Sequence, residues 1–288
     1  MCEILEKNSR RFGYVSVIGE TNAGKSSLLN LLVGSKVSIV SRKVQTTQKK
    51  ILGIAMFGES QVALLDTPGF FKQRSVDNLE RSAWNAFRES ELVLFLVDVS
   101  RRNFSKSESL LSKIDGAKKI VLILNKIDLI HKPDLLAIVH RFSQIREYER
   151  VFMISCLNQS GIGDLSLYLQ TAMPVGEWEF DQSETINQST GDYLSEITRE
   201  HVLHRVHHEI PYNCVVETIA VQDQTDGSIE IAQDILVQKE GYKKILIGAR
   251  GSKIRAIRIA SETEMSALLE RKVSLILHVK VMKKHVER

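Results

Sequence analysis

The chain has 288 residues, of which 43% are hydrophobic, 26% charged and only 4 proline, and this composition excludes wholesale disorder and low-complexity repeats. Its length fits one large or two ordinary domains, and its longest apolar runs, Leu92 to Val97 and Ile120 to Leu124, are far shorter than the roughly 20 residues of a membrane-spanning helix. Three widely spaced cysteines and a charged first segment without a signal pattern predict a reducing, cytoplasmic setting.

Charge is distributed unevenly along the chain. Residues 176–240 hold 3 Lys+Arg against 14 Asp+Glu, whereas residues 241–288 hold 12 against 4. A basic end after an acidic segment suits a polyanionic partner such as nucleic acid, although a solvated charged face is the commoner explanation of any single run.

The first 175 residues alternate short apolar runs with amphipathic stretches, which predicts βα units around a mainly parallel sheet. The predicted strands cover residues 14–18, 50–57, 61–65, 92–98, 119–125 and 150–154. Helices are predicted between them at 25–33, 77–89, 104–113, 133–146 and 162–171. We therefore predict a doubly wound α/β domain over residues 1–175.

The remaining sequence predicts a linker and a second domain. Residues 176–190 are polar and acidic without a clear period, as in a linker. Beyond them come an amphipathic helix, two alternating runs around Asp226 and Gly227 that predict a β-hairpin, a short helix, a Gly-rich turn, a longer helix over 253–270 and a last strand over 273–282. This α-β-β-α-α-β order predicts a compact α+β domain over residues 191–288.

One motif carries phosphate chemistry. Residues 19–26 read GETNAGKS and match G-x-x-x-x-G-K-[ST], after the first predicted strand and at the start of the first helix. Glycines let backbone N–H groups surround phosphate oxygens, and the helix N-terminus adds partial positive charge. Lys25 is expected to reach the β/γ-phosphates and Ser26 to ligate Mg²⁺. The predicted nucleotide-binding residues of this P-loop are Gly19, Glu20, Thr21, Asn22, Ala23, Gly24, Lys25, Ser26 and Ser27.

A second motif, DTPG, follows an apolar strand. It comprises Asp66, Thr67, Pro68 and Gly69. Ligands bind at the carboxyl ends of strands in such sheets, so these residues are predicted to line the nucleotide site, and Asp66 is expected to hold the hydration shell of Mg²⁺.

The base is predicted to be read by NKID, residues 125–128. The Asp128 carboxylate can accept hydrogen bonds from guanine N1–H and the N2 amino group, which adenine does not offer in that pattern. Asn125 is expected to tie this loop to the P-loop, and the Lys126 stem to pack along the purine face. After the sixth strand, Ser155, Cys156 and Leu157 could offer backbone N–H groups to guanine O6.

Together these motifs resemble the translation-factor-like bacterial GTPases, an α/β P-loop class. The shared residues are Asn22, the segment QTTQ at 45–48, DTPG followed by Phe70, and NKID. The resemblance puts hydrophobic Phe70 where Ras-like proteins carry a water-orienting glutamine, so hydrolysis is expected to rely on the P-loop, Mg²⁺ and K⁺ held near Asn22. It also implies that Thr46 or Thr47 is the switch residue that closes over Mg²⁺. The predicted catalytic residues are thus Lys25, Thr46 and Thr47.

The second domain contains IGARGSKI, residues 247–254, between two predicted helices. A GxxG tetrapeptide alone is weak evidence, but in this element order it resembles a type II KH domain, whose GxxG turn clamps single-stranded RNA. The alternative is an ordinary turn with solvated cations. The predicted RNA-binding residues are Ile247, Gly248, Ala249, Arg250, Gly251, Ser252, Lys253 and Arg255.

Over essentially its whole length the sequence resembles the Era family of bacterial ribosome-assembly GTPases. Residues 195–200, 209–212 and 279–281 match as well; the departures are Glu20 with Thr21, Ser27, Cys156, and Arg258 with Ser261 and Glu262. The resemblance implies binding of GTP and GDP and of the 3′ end of 16S rRNA. It further implies a role in small ribosomal subunit maturation, a peripheral association with the inner membrane, and a monomer.

Two other functions compete with this interpretation. One is a GTP-gated signalling or membrane-remodelling switch whose second domain binds protein, and the other is an RNA chaperone with a vestigial P-loop. The complete set of nucleotide motifs argues against the chaperone, and the short apolar runs argue against membrane remodelling.

Overall fold

The computed structural model describes residues 10–35, 51–66, 90–114, 116, 118–182, 189–206 and 214–282. The chain divides into two compact units, Met1–Asn187 and Gln188–Arg288. The predicted helix at 77–89, the switch candidates Thr46 and Thr47, and residues 67–70 lie outside the described residues. Within the described residues no helix is both long and apolar enough to cross a bilayer.

The first unit is built on one sheet. Its strands are β1 (Arg11–Gly19), β2 (Ile51–Phe57), β3 (Ser60–Asp66), β4 (Leu92–Asp98), β5 (Ile120–Asn125) and β6 (Arg150–Ile154). They run in the order β2-β3-β1-β4-β5-β6, parallel except for the antiparallel pair β2–β3. The prediction of a doubly wound α/β fold is confirmed, because later strands lie on both sides of β1: β3 and β2 on one side, and β4, β5 and β6 on the other.

Helices cover both faces of this sheet. They are α1 (Lys25–Val33), α2 (Ser105–Leu111), α3 (Lys132–Ser143) and α4 (Ile162–Ala172). Side chains of α1 and α4 pack into one core cluster, and those of α2 and α3 into a second. All residues of β4 and β5 are buried, as expected for central strands covered on both faces.

The first half of the predicted linker is attached to the first unit. The Gln61 side chain accepts from the N–H groups of Glu179 and Phe180 and donates to the Phe180 carbonyl at 2.7 Å. Arg10 stacks on Trp178 with its guanidinium carbon 4.3 Å from the ring centroid. The first unit therefore extends past residue 175, the boundary drawn from sequence, because these polar and aromatic contacts hold residues that have no periodic pattern.

The second unit contains three strands and three helices, which are α5 (Thr190–Arg205), β7 (Cys214–Asp223), β8 (Ile229–Val237), α6 (Glu240–Ile247), α7 (Ser252–Leu269) and β9 (Val273–Val281). The strands form one sheet in the order β7-β8-β9. The pair β7–β8 is antiparallel and β8–β9 parallel, so α6 and α7 form the crossover that a parallel pair requires. The predicted α-β-β-α-α-β order is confirmed.

Candidate nucleotide and nucleic-acid sites

The P-loop joins β1 to α1. Gly24 has φ 102° and precedes Lys25, the first residue of the helix, and no side chain caps the helix N-terminus. An added Cβ at Gly24 would lie 2.2 Å from Nδ2 of Asn125, so both the backbone angle and the close approach require glycine. The loop thus presents a helix N-terminus of the kind that binds phosphate.

Lys25 lies across the phosphate loop. Its Nζ donates to the carbonyls of Gly19 and Glu20, at 2.9 Å each. These bonds hold the ammonium over the loop, so a small movement of the Lys25 side chain would bring it to a bound phosphate. Contact of Lys25 with the β- and γ-phosphates stays a prediction from the motif.

The residues next to this loop fit a magnesium ion. Ser26 is the second residue of α1, and Asp66 ends β3 in register with Val17 of β1, so the backbone brings Asp66 to the same edge of the sheet as the P-loop. Both residues offer oxygen ligands, which Mg²⁺ prefers.

Asn125 connects the base-reading loop to the P-loop, as predicted. The buried side chain donates from Nδ2 to the Ala23 carbonyl at 2.7 Å. Its Oδ1 accepts from the Lys126 N–H at 2.8 Å and from the Cys156 N–H at 3.2 Å. One amide therefore holds three segments of the candidate site together.

Asp128 is exposed and oriented by Ser155, whose hydroxyl donates to its Oδ1 at 2.5 Å. A carboxylate has about four acceptor positions, so it can still accept both guanine donors. The N–H of Ser155 already donates to Ser160, and that of Cys156 to Asn125. Leu157 is 84% exposed, and the contact of this segment with guanine O6 stays a prediction.

Lys126 is held by a carboxylate that sequence reasoning missed. Its Nζ lies 2.6 Å from Oδ2 of Asp98, the last residue of β4. Burial raises the pKa of the Asp98 carboxyl, but hydrogen bonds from Lys126 and Ser100 outweigh it, and the pKa is lowered overall. Asp98 is the last residue of β4, a buried strand beside β5. A carboxylate at the carboxyl end of such a strand is the sequence feature that could have indicated a residue of the site.

The GxxG turn lies between α6 and α7, as predicted. Gly248 and Gly251 both have φ 74°, and Arg250 has φ 50°. An added Cβ at Gly248 would lie 2.8 Å from the Lys253 side chain, whereas one at Gly251 would lie 4.0 Å from Cγ2 of Ile254. The exposed residues here are Ala249, Arg250, Ser252, Lys253 and Arg255, so the turn presents three cations beside exposed backbone.

Two departures from the family pattern pair with each other in α7. Arg258 Nη1 donates to Glu262 Oε1 at 2.7 Å, and the same oxygen accepts from the Leu275 N–H of β9 at 2.9 Å. Glu262 thus connects α7 to the sheet.

The fold and these sites define a P-loop GTPase domain followed by a KH domain. Residues 14–126 match the model of the 50S ribosome-binding GTPase family, and residues 209–285 match the KH domain model. GTPase Era of Brucella suis is 40% identical over 279 residues, covering 96% of this chain and 90% of the relative. GTPase Era of Agrobacterium fabrum is 42% identical over 274 residues, covering 94% and 86%. The chain belongs to the Era family of GTPases.

Solved structures agree with this assignment. A crystal structure of Era with MgGDPNP and nucleotides 1506–1542 of 16S ribosomal RNA matches with a TM-score of 0.88 and 28% identity, over 96% of this chain and 95% of that one. Aquifex aeolicus Era Y63A bound to GDP·AlF4⁻ matches with the same TM-score and identity, over 95% of each chain.

Proposed function

We propose that this GTPase binds the 3′ end of small-subunit rRNA through its GxxG turn, in a manner that depends on the nucleotide in its P-loop, and so assists assembly of the small ribosomal subunit. One observation carries the proposal. The same chain contains a candidate guanine site, in which Asn125 joins NKID to the P-loop, and an exposed basic GxxG turn. The related Era crystallised with a GTP analogue and 16S rRNA nucleotides 1506–1542 supports it.

In the nucleotide site, each group has a defined task. Asp128, oriented by Ser155, accepts the guanine N–H donors, and Lys25 leaves the carbonyls of Gly19 and Glu20 to pair with phosphate oxygens. Ser26, Asp66 and one of Thr46 and Thr47 would hold Mg²⁺. When bound, this ion neutralises charge on the β- and γ-phosphate oxygens.

Hydrolysis by this chain must orient water without a glutamine, since Phe70 has no group that can do so. We infer that a potassium ion near Asn22 supplies additional positive charge to the phosphates. Asn22 is exposed with φ 65°, a left-handed conformation that asparagine tolerates.

The GxxG turn would hold RNA by its backbone. Glycine allows close approach of phosphates, and Arg250, Lys253 and Arg255 supply charge-assisted contacts. Action in the cytoplasm as a monomer, with peripheral contact to the inner membrane, stays a prediction from the family resemblance.

The test measures the affinity of the full chain for a labelled RNA with the sequence of the 16S rRNA 3′ end. The RNA is titrated at fixed salt with GDP and with a non-hydrolysable GTP analogue. We expect tighter binding in the triphosphate state, by roughly 5- to 150-fold if the coupling has a typical energy. A scrambled RNA of equal length is the control.

Two results would contradict the proposal in different ways. Equal affinity for the scrambled RNA would overturn the rRNA assignment. Equal affinity in the two nucleotide states would overturn the coupling, because by linkage an RNA that does not distinguish them cannot change the preference for GTP over GDP.

A further inference from the structure

The P-loop of this chain contains a buried carboxylate. Glu20 is the first residue after Gly19, and its side chain is 8% exposed. The hydroxyl of Ser107, in α2, donates to its Oε1. A negative charge in a loop that receives phosphates is unfavourable unless another group compensates it.

Arg101 provides that compensation. One guanidinium nitrogen, Nη1, lies 2.5 Å from Oε2 of Glu20, and the other, Nη2, donates to the Thr21 carbonyl at 2.6 Å. The planar fork thus binds two consecutive P-loop residues at once, which a lysine cannot do. Arg101 follows β4 and is separated from Glu20 by 81 positions.

The same arginine reaches toward the base-reading loop. Its Nε lies 3.4 Å from Oδ2 of Asp98, and that oxygen also contacts Lys126 Nζ. Charges of alternating sign therefore run from Glu20 through Arg101 and Asp98 to Lys126. This network of ion pairs connects the P-loop to the NKID segment, as does the hydrogen bond between the uncharged Asn125 side chain and the Ala23 carbonyl.

Lys25 contacts the same residue through its backbone. The Lys25 ammonium donates to the Glu20 main-chain carbonyl at 2.9 Å, so the P-loop lysine and the residue that carries the carboxylate belong to one loop. Without a counter-charge, Glu20 would repel each negative phosphate and compete for Lys25.

We propose that Arg101 is a positioning residue for nucleotide binding: it neutralises Glu20 and holds the Thr21 carbonyl, so that the P-loop can carry a carboxylate and still bind a polyphosphate. This inference deepens the proposed function and rests on the P-loop being the phosphate site. It predicts an effect of Arg101 substitution that grows with the number of phosphates on the ligand.

The experiment measures the dissociation constants of GMP, GDP and a non-hydrolysable GTP analogue by competition with fluorescent GDP, for the full chain and its variants. For Arg101→Ala we expect the loss of affinity to increase about fivefold with each added phosphate, because each added negative charge then meets an uncompensated Glu20 carboxylate. In the double variant Glu20→Gln/Arg101→Ala the loss of affinity should be the same for all three nucleotides, because the Glu20 carboxylate that repels phosphate is absent.

Controls separate this role from a purely structural one. Arg102→Ala changes the exposed neighbouring arginine and should leave all three constants as in the unmodified chain. Since breaking a buried ion pair destabilises a fold, Arg101→Gln, which keeps a donor for Thr21, is measured as well and should show the same phosphate dependence.

The possible outcomes are distinct. If the unmodified chain does not bind GDP, the phosphate-site assignment fails. If it binds GDP but the Arg101 variants weaken all three ligands equally, or the double variant retains the phosphate dependence, Arg101 does not compensate Glu20 and the inference is overturned.

Discussion

Nδ2 of Asn125 donates to the carbonyl of Ala23 at 2.7 Å, and this bond joins the NKID segment to the P-loop. The two residues are 102 positions apart. Because Asn125 is buried, its donor and the Ala23 acceptor have no alternative partner in solvent, and an unmade bond there is expensive.

Asn125→Asp should therefore weaken GDP and GTP together. The substituted carboxylate opposes the Ala23 carbonyl, and a lost buried hydrogen bond costs roughly 1 to 3 kcal/mol, or about 5- to 150-fold in affinity. Calorimetric titration measures the change. Asn158→Asp, in an exposed loop where Oδ1 accepts from the Ser160 N–H, is the matched control, and equal affinities of the two variants would refute the tie.

Asp128→Asn should switch the base preference from guanine to xanthine. A carboxamide presents a donor to xanthine O2, where guanine offers an amino group that needs an acceptor. The measurement compares GDP and XDP binding in competition. Asp134→Asn, an exposed carboxylate in the first turn of α3, should retain guanine preference, and undiminished GDP affinity in Asp128→Asn would disprove the pocket assignment.

Gly251→Asp should impair RNA binding, and Gly251→Asn should do so much less. The space around Gly251 is open, and Asp and Asn tolerate its left-handed backbone better than other side chains do. The two variants therefore differ mainly in one negative charge, which repels the RNA phosphate. RNA affinity is measured for both variants, with GDP affinity as the check that the first unit is intact. Equal RNA affinity in the two variants would contradict the phosphate clamp.

Asn22→Gly should remove stimulation of hydrolysis by potassium. Glycine keeps φ 65° without strain and removes only the amide that the proposed cation site needs. Turnover at saturating GTP is compared in KCl and NaCl at equal ionic strength. We expect the unmodified chain to be faster in KCl and the variant to be equally slow in both; persistent stimulation would place the cation elsewhere.

The Cys156 thiol should resist alkylation at neutral and mildly alkaline pH. Burial raises its pKa to about 12 from the ordinary 9.0, opposed in part by the hydrogen bond with Asn125, and only the thiolate reacts. This raised pKa favours the folded state below pH 9 and loses that effect as pH approaches 12. Labelling is followed by mass spectrometry in a Cys2→Ser background, and a native rate that levels off near pH 9 would contradict the shift.

Much of the candidate site could be predicted because its parts are local. The residues of GETNAGKS are contiguous. The strands that precede NKID and DTPG are recognisable from their apolar residues, and the carboxyl ends of parallel strands lie at one edge of the sheet. The link from Glu20 to Arg101 has no such signature, since it joins distant residues through side-chain geometry alone. Gln61 likewise looks like an ordinary polar residue of a strand, and its hydrogen bonds to residues 179 and 180 join positions far apart in the sequence, so they are seen only in the structure.

The contact between Gln61 and the segment at 179–180 has a mechanical consequence. Gln61 binds the peptide groups of residues 179 and 180 rather than their side chains, so the attachment does not depend on which side chains stand at these two positions. It lies near the start of β3, and the bridge from Arg11 to Val175 lies at the start of β1, whereas the P-loop follows the opposite end of β1. The attachment points of the segment at 175–180 therefore lie at the end of the sheet opposite to the phosphate loop, so a pull on residue 182 would meet these hydrogen bonds first.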